Sequence, residues 1–447
     1  MALNNAVVDR QQVIRKYQEI RGRTNRLFSL LHSDAYYANP IPLRHPAVFY
    51  EGHIPAFAVN SFLKKGLGHS GLDEALERLF ARGIDPSERD AETRMGTQLW
   101  PSRETVHNYV QNVDNEILRI LETGTIESDT NPVLYRGQGV FTMLEHEVMH
   151  QETMLYMWHR FEPDQKFKDV DCEMVGVNKQ SSVSDSMLRI PTGVATLGAE
   201  FDDIPFGWDN EFPVCRVDVP AFEIDVYNVT NAEFLCFVES GGYDDPHLWQ
   251  AEAWERRVRA ERAHPLFWEE RDGAWVWRGM FQRVPLPLAW PVYVSHDEAS
   301  AFAKWKGLRL PTESEFHRAA YGSPDGTERS YPWGEEDPSQ QRGNFDFYHW
   351  DPVPVGSYPK GASAWGIHDL VGNGWEWTST VFGGFPGFQA MASYPEYSAD
   401  FFDGEHFVAK GASPGTGIEL IRRSFRNWFR PGYPYPYATF RCVRDVG

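Results

Sequence analysis

His146 and His150 stand four residues apart in the run L-E-H-E-V-M-H-Q-E-T-M-L-Y-M-W-H, Leu144 to His159. On an α-helix that offset is about 40° of rotation and about 6 Å of rise, so both imidazoles leave one face a turn apart. At that separation two rings can hold one metal ion. The plainer alternative is a pair of histidines on a buried or solvated helix face.

A third ligand is needed, and three readings compete for it. His146-Glu-Val-Met-His150 reads H-E-x-x-H, which in zinc hydrolases makes both histidines ligands and the glutamate, here Glu147, the general base. Thr153 and Tyr156 occupy the positions where metzincins carry Gly and His. Glu162 and Glu173 are downstream carboxylates, but neither lies in a convincing second helix. Upstream, His53 lies on another helical segment, and sites built from facing helices of a bundle suit iron or manganese. Glu152, about 160° round the helix from His150, points away from a shared metal. It could orient a ring from behind or face a neighbouring helix.

The elements that must position these residues are helical in the first third. Apolar residues at helical spacing predict a helix over 8–33, a second over 47–65 kinked by Pro55, and a short one over 72–81. A polar loop is expected over 84–103, then helices over 104–122 and 137–161. Long helices with short connections read as an up-and-down bundle. Residues 162–187 read as a linker. From 188 to 447 the segments are short and rich in Gly, Pro and Trp; Ile190–Gly198 reads as strand and turn, and 231–239 and 296–306 as short helices. The expected class is α+β: a bundle over 1–161, a linker, and a mixed domain over 188–447.

Composition excludes several functions. The 447 residues carry 43 basic and 63 acidic side chains, net −20, which opposes nucleic-acid binding. No run approaches the roughly 20 apolar residues of a membrane span, and the N-terminus has no signal-peptide pattern. Cys172, Cys215, Cys236 and Cys442 are scattered without C-x-x-C spacing and read as reduced, mostly buried thiols of a cytoplasmic protein.

Two sets of motifs carry a family resemblance along nearly the whole chain. His53 with the H-x-x-x-H-x-E run (His146, His150, Glu152) resembles the DinB-like domain of ergothioneine and ovothiol sulfoxide synthases. Ile190-Pro-Thr-Gly, Tyr227-Asn-Val-Thr-Asn-Ala-Glu-Phe234, Leu308-Arg-Leu-Pro-Thr-Glu-Ser-Glu-Phe316, Tyr331-Pro-Trp-Gly334, Gly372-Asn-Gly-Trp-Glu-Trp-Thr378 and Phe440-Arg-Cys442 resemble the C-type-lectin-like fold of formylglycine-generating enzymes. The resemblance implies that His53, His146 and His150 hold a non-haem Fe(II). Three neutral protein ligands leave about three open positions on an octahedral ion, enough for a thiolate, an imidazole and O₂. The implied reaction joins the sulfur of cysteine to the imidazole of a histidine betaine, hercynine, and yields a sulfoxide. The substrates are small molecules.

The same resemblance assigns further residues. Asn427 and Trp428 match a pair that shapes the betaine pocket, where a Trp face suits a trimethylammonium and an Asn amide a carboxylate. The alternative for Trp428 is core packing. Phe429 follows this pair where mycobacterial-type members carry an acidic residue, which favours free cysteine over γ-glutamylcysteine. Met149 stands where those members carry Gln. Tyr394, ahead of Tyr397, is the candidate proton or hydrogen donor. Arg94 and Arg103 could clamp the cysteine carboxylate, or be solvated loop charges. His45, His107 and His159 are alternatives to the ligand set, His45 beside a proline turn and the other two on helix exteriors. Formylglycine generation is not expected, because Lys410–Ser424 lacks the cysteine pair of those enzymes. The second domain is then a lid and substrate wall. Within the family, 5-histidylcysteine sulfoxide synthesis or a selenium-transferring relative remains an alternative; outside it, a zinc hydrolase or a non-catalytic binding module.

Overall fold

Helix α1 (Arg10–Ser29) begins where the Asp9 carboxylate accepts from the backbone N–H of Gln11 and Gln12. The structure is a computed structural model and describes residues 8–81, 100–168, 173–179 and 186–446. Val13, Tyr17, Ile20, Thr24 and Leu27 form the buried stripe of α1, at the spacing that lines one helix face. Helix α2 (Ala47–Ala58) is buried nearly all round and contains Pro55. The chain passes through the proline and changes character later, as a π-helical stretch over Val59–Gly66. The expected second helix is therefore two helical types in series. Helix α3 (Glu74–Leu79) is capped by Asp73, and α4 (Arg103–Thr123) by Ser102, which accepts from Thr105 N.

Helix α5 (Gln138–Arg160) is the centre of this unit: its apolar and polar residues alike are buried from Met143 to His146 and from His150 to His159. It starts after Gly137, whose φ of 70° is open to glycine at little cost. One side of α5 is tied to α1: Trp158 Nε1 donates to Leu27 O at 2.9 Å and Gln151 Nε2 to Ile20 O at 2.8 Å. The helices form the first compact unit, Met1–Asp169, which also takes in the short segment Met391–Pro395.

The second unit, Val170–Ala390 with Glu396–Gly447, is mixed. Strands β1 (Met187–Ile190), β4 (Phe222–Asp225) and β12 (Val443–Asp445) form an antiparallel sheet centred on β4. Strands β2 (Gly193–Leu197) and β3 (Cys215–Val219) form a ribbon, and β5 (Trp268–Arg271), β6 (Ala274–Arg278) and β7 (Arg283–Pro285) a meander. The fourth sheet has the order β10-β9-β8-β11, from Asn427–Phe429, Phe407–Ala412, Gly374–Val381 and Ala438–Thr439.

Three of the four longer helices here start on the S/T-x-x-E pattern. In α6 (Asn231–Glu239) Thr230 pairs with Glu233, in α8 (His296–Trp305) Ser295 with Glu298, and in α9 (Glu313–Tyr321) Thr312 with Glu315. Each is a reciprocal box that satisfies two otherwise orphaned N–H groups. The fourth, α7 (Ala251–Arg259), lacks one. Phe316, Ile190, Phe222, Ile224 and Leu370 make the core between α9 and the β1-β4-β12 sheet. Arg441, fully buried, grips Glu376 through two bonds of 2.6 Å and pins the sheets together.

Two expectations need correction. Among the described cysteines only Cys442 is buried; Cys215 is half-buried and Cys236 exposed. His159 is not on a helix exterior but 1 % exposed, because α5 is central and has no outer face there. Among the described residues no helix is long and apolar enough to cross a membrane.

Candidate metal centre

His53 sits on α2, one turn after Phe49; His146 and His150 sit on α5. Their donor atoms lie within 4.8 Å of one another, and all three residues are buried. The Nε2 atoms of His146 and His150 are 3.1 Å apart. The His53 Nδ1–H donates to Phe80 O at 2.7 Å. A carbonyl only accepts, so this bond fixes the tautomer and leaves His53 Nε2 as a lone pair. Among the described residues no carboxylate joins the group.

Burial is the first cause that holds all three rings neutral. It lowers His53 to about 4 against the raising effect of Phe80 O. It also depresses His146 well below the usual imidazole value, helped by His150 and His53, and His150 likewise, with His53 and Arg44 adding to it. Apolar rings enclose the group. Phe57 stacks on His146 at 3.5 Å and Phe49 on His53 at 4.9 Å.

This arrangement fits a metal ion. The Nε2 atoms of His146 and His150 face each other at 3.1 Å, and facing lone pairs in an apolar shell are costly. A cation shared by the three Nε2 atoms turns that cost into bonds. Two nitrogens about 2.1 Å from one ion are about 3 Å apart at a right angle and about 3.4 Å at the tetrahedral angle. The His146–His150 spacing is nearer the former.

Glu147 is not at this centre. Its carboxylate lies on the α1 side of α5, 2.8 Å from Arg21 Nη1 and 2.6 Å from Thr24 Oγ1. Arg21 also reaches Asp114 at 3.1 Å. Burial pushes the Glu147 carboxyl up, with Arg21 and Thr24 pulling it down. The general-base role that H-E-x-x-H suggests is therefore overturned: one residue along a helix is 100° of rotation, and that rotation carries Glu147 into the α1 interface. Glu162 and Glu173 are exposed and outside the group. Glu152 is buried on α5, Met149 half-buried.

Tyr394 belongs to the segment grouped with the helical unit. Its ring is 5.1 Å from Phe57 and 6.3 Å from His146. Thr142 Oγ1 and Ser393 Oγ, 2.9 Å apart, anchor that segment on α5. Arg103 opens α4 and lies over the Tyr36 ring at 4.7 Å, not in open solvent. Arg94 lies outside the described residues. His45 is buried against Phe49 at 4.1 Å. His107 is exposed and bonds Gln111.

In the second unit, Asn427 and Trp428 lie on edge strand β10, half-buried. Phe382 stacks on Trp428 at 4.1 Å and 8°, and Tyr397 meets it edge-on at 5.3 Å. Tyr397 in turn stacks on Trp208 at 3.9 Å. Asn427 Oδ1 accepts from Trp428 N at 2.9 Å. Phe80, Phe57, Phe382 and Trp208 were not singled out in the sequence. A backbone carbonyl leaves no trace in residue type, and aromatic partners in so aromatic a chain carry no distinguishing spacing.

Residues 173–446 match the Sulfatase-modifying factor enzyme 1-like domain family. A Hercynine oxygenase of Mycobacterium tuberculosis is 41 % identical over 253 residues, 56 % of this chain and 59 % of the relative. One of Mycolicibacterium smegmatis is 36 % identical over 71 % of this chain and 74 % of its own length. One of Mycolicibacterium thermoresistibile is 32 % identical over 99 % of this chain and 96 % of its own length. With similarity running end to end and the domain match covering its second half, the chain belongs to the hercynine oxygenase family of ergothioneine-type sulfoxide synthases.

Proposed function

We propose that the chain is a cytoplasmic, Fe(II)- and O₂-dependent sulfoxide synthase that joins the sulfur of cysteine to the imidazole carbon of hercynine. The observation that carries this reading is the buried group of His53, His146 and His150, which no carboxylate joins among the described residues. One C–H and one S–H bond break, and C–S and S–O bonds form. Dioxygen takes up the four electrons, and its second oxygen leaves as water. His53, His146 and His150 would hold a ferrous ion, which would supply the redox and Lewis-acid chemistry that dioxygen and the two substrates need.

The protein's own residues do the rest. Burial keeps the three rings unprotonated near neutral pH, so their lone pairs stay available. Phe80 O holds His53 in the tautomer that points Nε2 inward. Tyr394, near His146, donates a proton or hydrogen to the developing oxygen. Asn427 uses its carbonyl oxygen on Trp428 N, which frees its NH₂ for the betaine carboxylate. Trp428 offers one indole face to the trimethylammonium, the other being covered by Phe382. Tyr397 and Met149 complete the substrate walls, Arg94 and Arg103 bind the cysteine carboxylate, and Glu152 supports the ligand helix from behind.

Anaerobic loading with Fe(II), followed by O₂ uptake and product mass with hercynine plus cysteine, tests this. Stoichiometric O₂ consumption and the mass of the coupled sulfoxide are expected. No O₂ consumption with any of hercynine or histidine paired with cysteine removes the reading.

A further inference from the structure

Arg318, on α9, is 6 % exposed. Its Nε is buried without a hydrogen-bond partner. No carboxylate among the described residues pairs with its guanidinium, whose side-chain neighbour is the Trp365 ring at 5.3 Å. The attraction of an indole for a cation is smaller than the desolvation cost of a buried guanidinium. Arg318 is therefore short of a negative partner.

The space beside it is built to receive one. Arg318 and Trp365 line a cleft of about 820 Å³, with Arg216, Asp218, Asp325 and Glu328 around it; small-molecule sites run to about 300–1,000 Å³. In the β2–β3 ribbon Thr196 faces Arg216 and Val194 faces Asp218. Alternation along the strands turns these four to the cleft while Ala195 and Leu197 are buried. Two of the acids are already committed. Asp325 accepts from Ser323 Oγ at 2.6 Å and from Thr327 N and Oγ1 at 3.0 and 2.7 Å. Glu328 accepts from Thr196 N at 2.8 Å. Glycines give the guanidinium its seat: a Cβ on Gly193 would lie 2.5 Å from Nη2, and one on Gly322 would lie 2.6 Å from Nη1.

We propose that this cleft is a second ligand site, where a small metabolite docks a carboxylate or phosphate oxyanion on the Arg318 guanidinium, with Arg216 at the rim. Its lining shares no residue with the histidine group or the Asn427–Trp428 wall, and the proposal stands independently of the sulfoxide synthase reading. A planar guanidinium fork matches both oxyanions.

Titration calorimetry on the full chain, with inorganic phosphate and with succinate in separate arms and Arg318→Gln and Arg216→Ala variants beside the wild type, tests it. One saturable site per chain is expected for at least one anion, weakened about tenfold or more by Arg318→Gln and several-fold by Arg216→Ala. Binding of phosphate alone identifies a phosphate ligand, and of succinate alone a carboxylate. Absence of saturable binding up to about 10 mM overturns the proposal. So does full affinity in Arg216→Ala if Arg318→Gln fails to fold, or in both variants if both fold.

Discussion

Arg21 holds Glu147 at 2.8 Å across the α1–α5 interface, with both side chains less than a tenth exposed. The glutamate of H-E-x-x-H is thereby a structural anion, one helix position and about 100° of rotation from His146. Burial would lower the Arg21 guanidinium, but Glu147 and Asp114 raise it, so the cation persists and its partners matter. Removing one member of a buried pair costs about 3–5 kcal/mol. Glu147→Gln keeps an acceptor for Arg21, and Asp114 keeps a charge, so the loss should be nearer 1–3 kcal/mol. Chemical denaturation should show that loss, while iron content and turnover per folded chain stay near wild type. A variant as stable as wild type but inactive would restore Glu147 as a base.

Gly52 precedes His53 and faces the Phe80 ring so closely that a methyl there would overlap it. Gly→Ala within a helix ordinarily stabilises by about 0.5–1 kcal/mol. Overpacking costs about 1–3 kcal/mol, so the clash should win. Phe80 also supplies the carbonyl that orients His53, and moving it loosens that ring. Gly52→Ala is expected to lower both stability and iron affinity, read by melting and by metal titration. A gain in stability with unchanged iron binding would show that Phe80 does not hold the His53 tautomer.

How far the sequence reached depends on the kind of information each feature needs. The four-residue offset of His146 and His150 encodes a shared helix face, so their proximity was legible from spacing. That His53 joins them came from resemblance, since nothing local to Glu51–Pro55 says which helix it will face. The starts of α4 and α6, capped by Ser102 and Thr230, fell within a residue of expectation, while α1 and α3, capped by Asp9 and Asp73, began two residues later than expected. The π-helical stretch after Ala58 was not legible, because it depends on packing around α2 and not on local propensity. The role of Glu147 was illegible for the same reason: H-E-x-x-H fixes rotation on a helix, and only tertiary packing shows that Arg21 waits on that side. Tyr394 is grouped with helices more than two hundred residues earlier, a contact no local pattern announces.

Asp369, in the second unit, gives a pH test. It is buried, and its backbone sits at φ 56°, a region where Asn is well tolerated. Burial pushes its carboxyl up to about 6, against lowering by Gly356 N–H and Arg441. The folded state therefore holds the proton more tightly than the unfolded chain, whose value is 3.8. The contribution to stability is full below about pH 3.8 and lost as pH rises through about 6. Asp369→Asn mimics the protonated acid at every pH. It should match wild type near pH 4 and exceed it at pH 7 by on the order of 2–3 kcal/mol. Urea midpoints across that range check this; a constant difference between the two proteins would rule out the aspartate as the titrating group.

Substitution of Trp428 tests binding separately from chemistry. Phe382 lies parallel to it at 4.1 Å, so a trimethylammonium has only the opposite indole face to use. A cation on such a face gains about 0.5–2 kcal/mol, which corresponds to roughly 2- to 30-fold in affinity. Trp428→Leu should therefore raise KM for hercynine within that range and leave kcat largely intact, provided the ring binds the ground state and the transition state alike. Trp428→Phe, which retains a weaker quadrupole, should fall between the two. A drop in kcat at constant KM would mean that the indole positions the reacting imidazole and not the methylated ammonium, and steady-state kinetics on the three proteins distinguishes these outcomes.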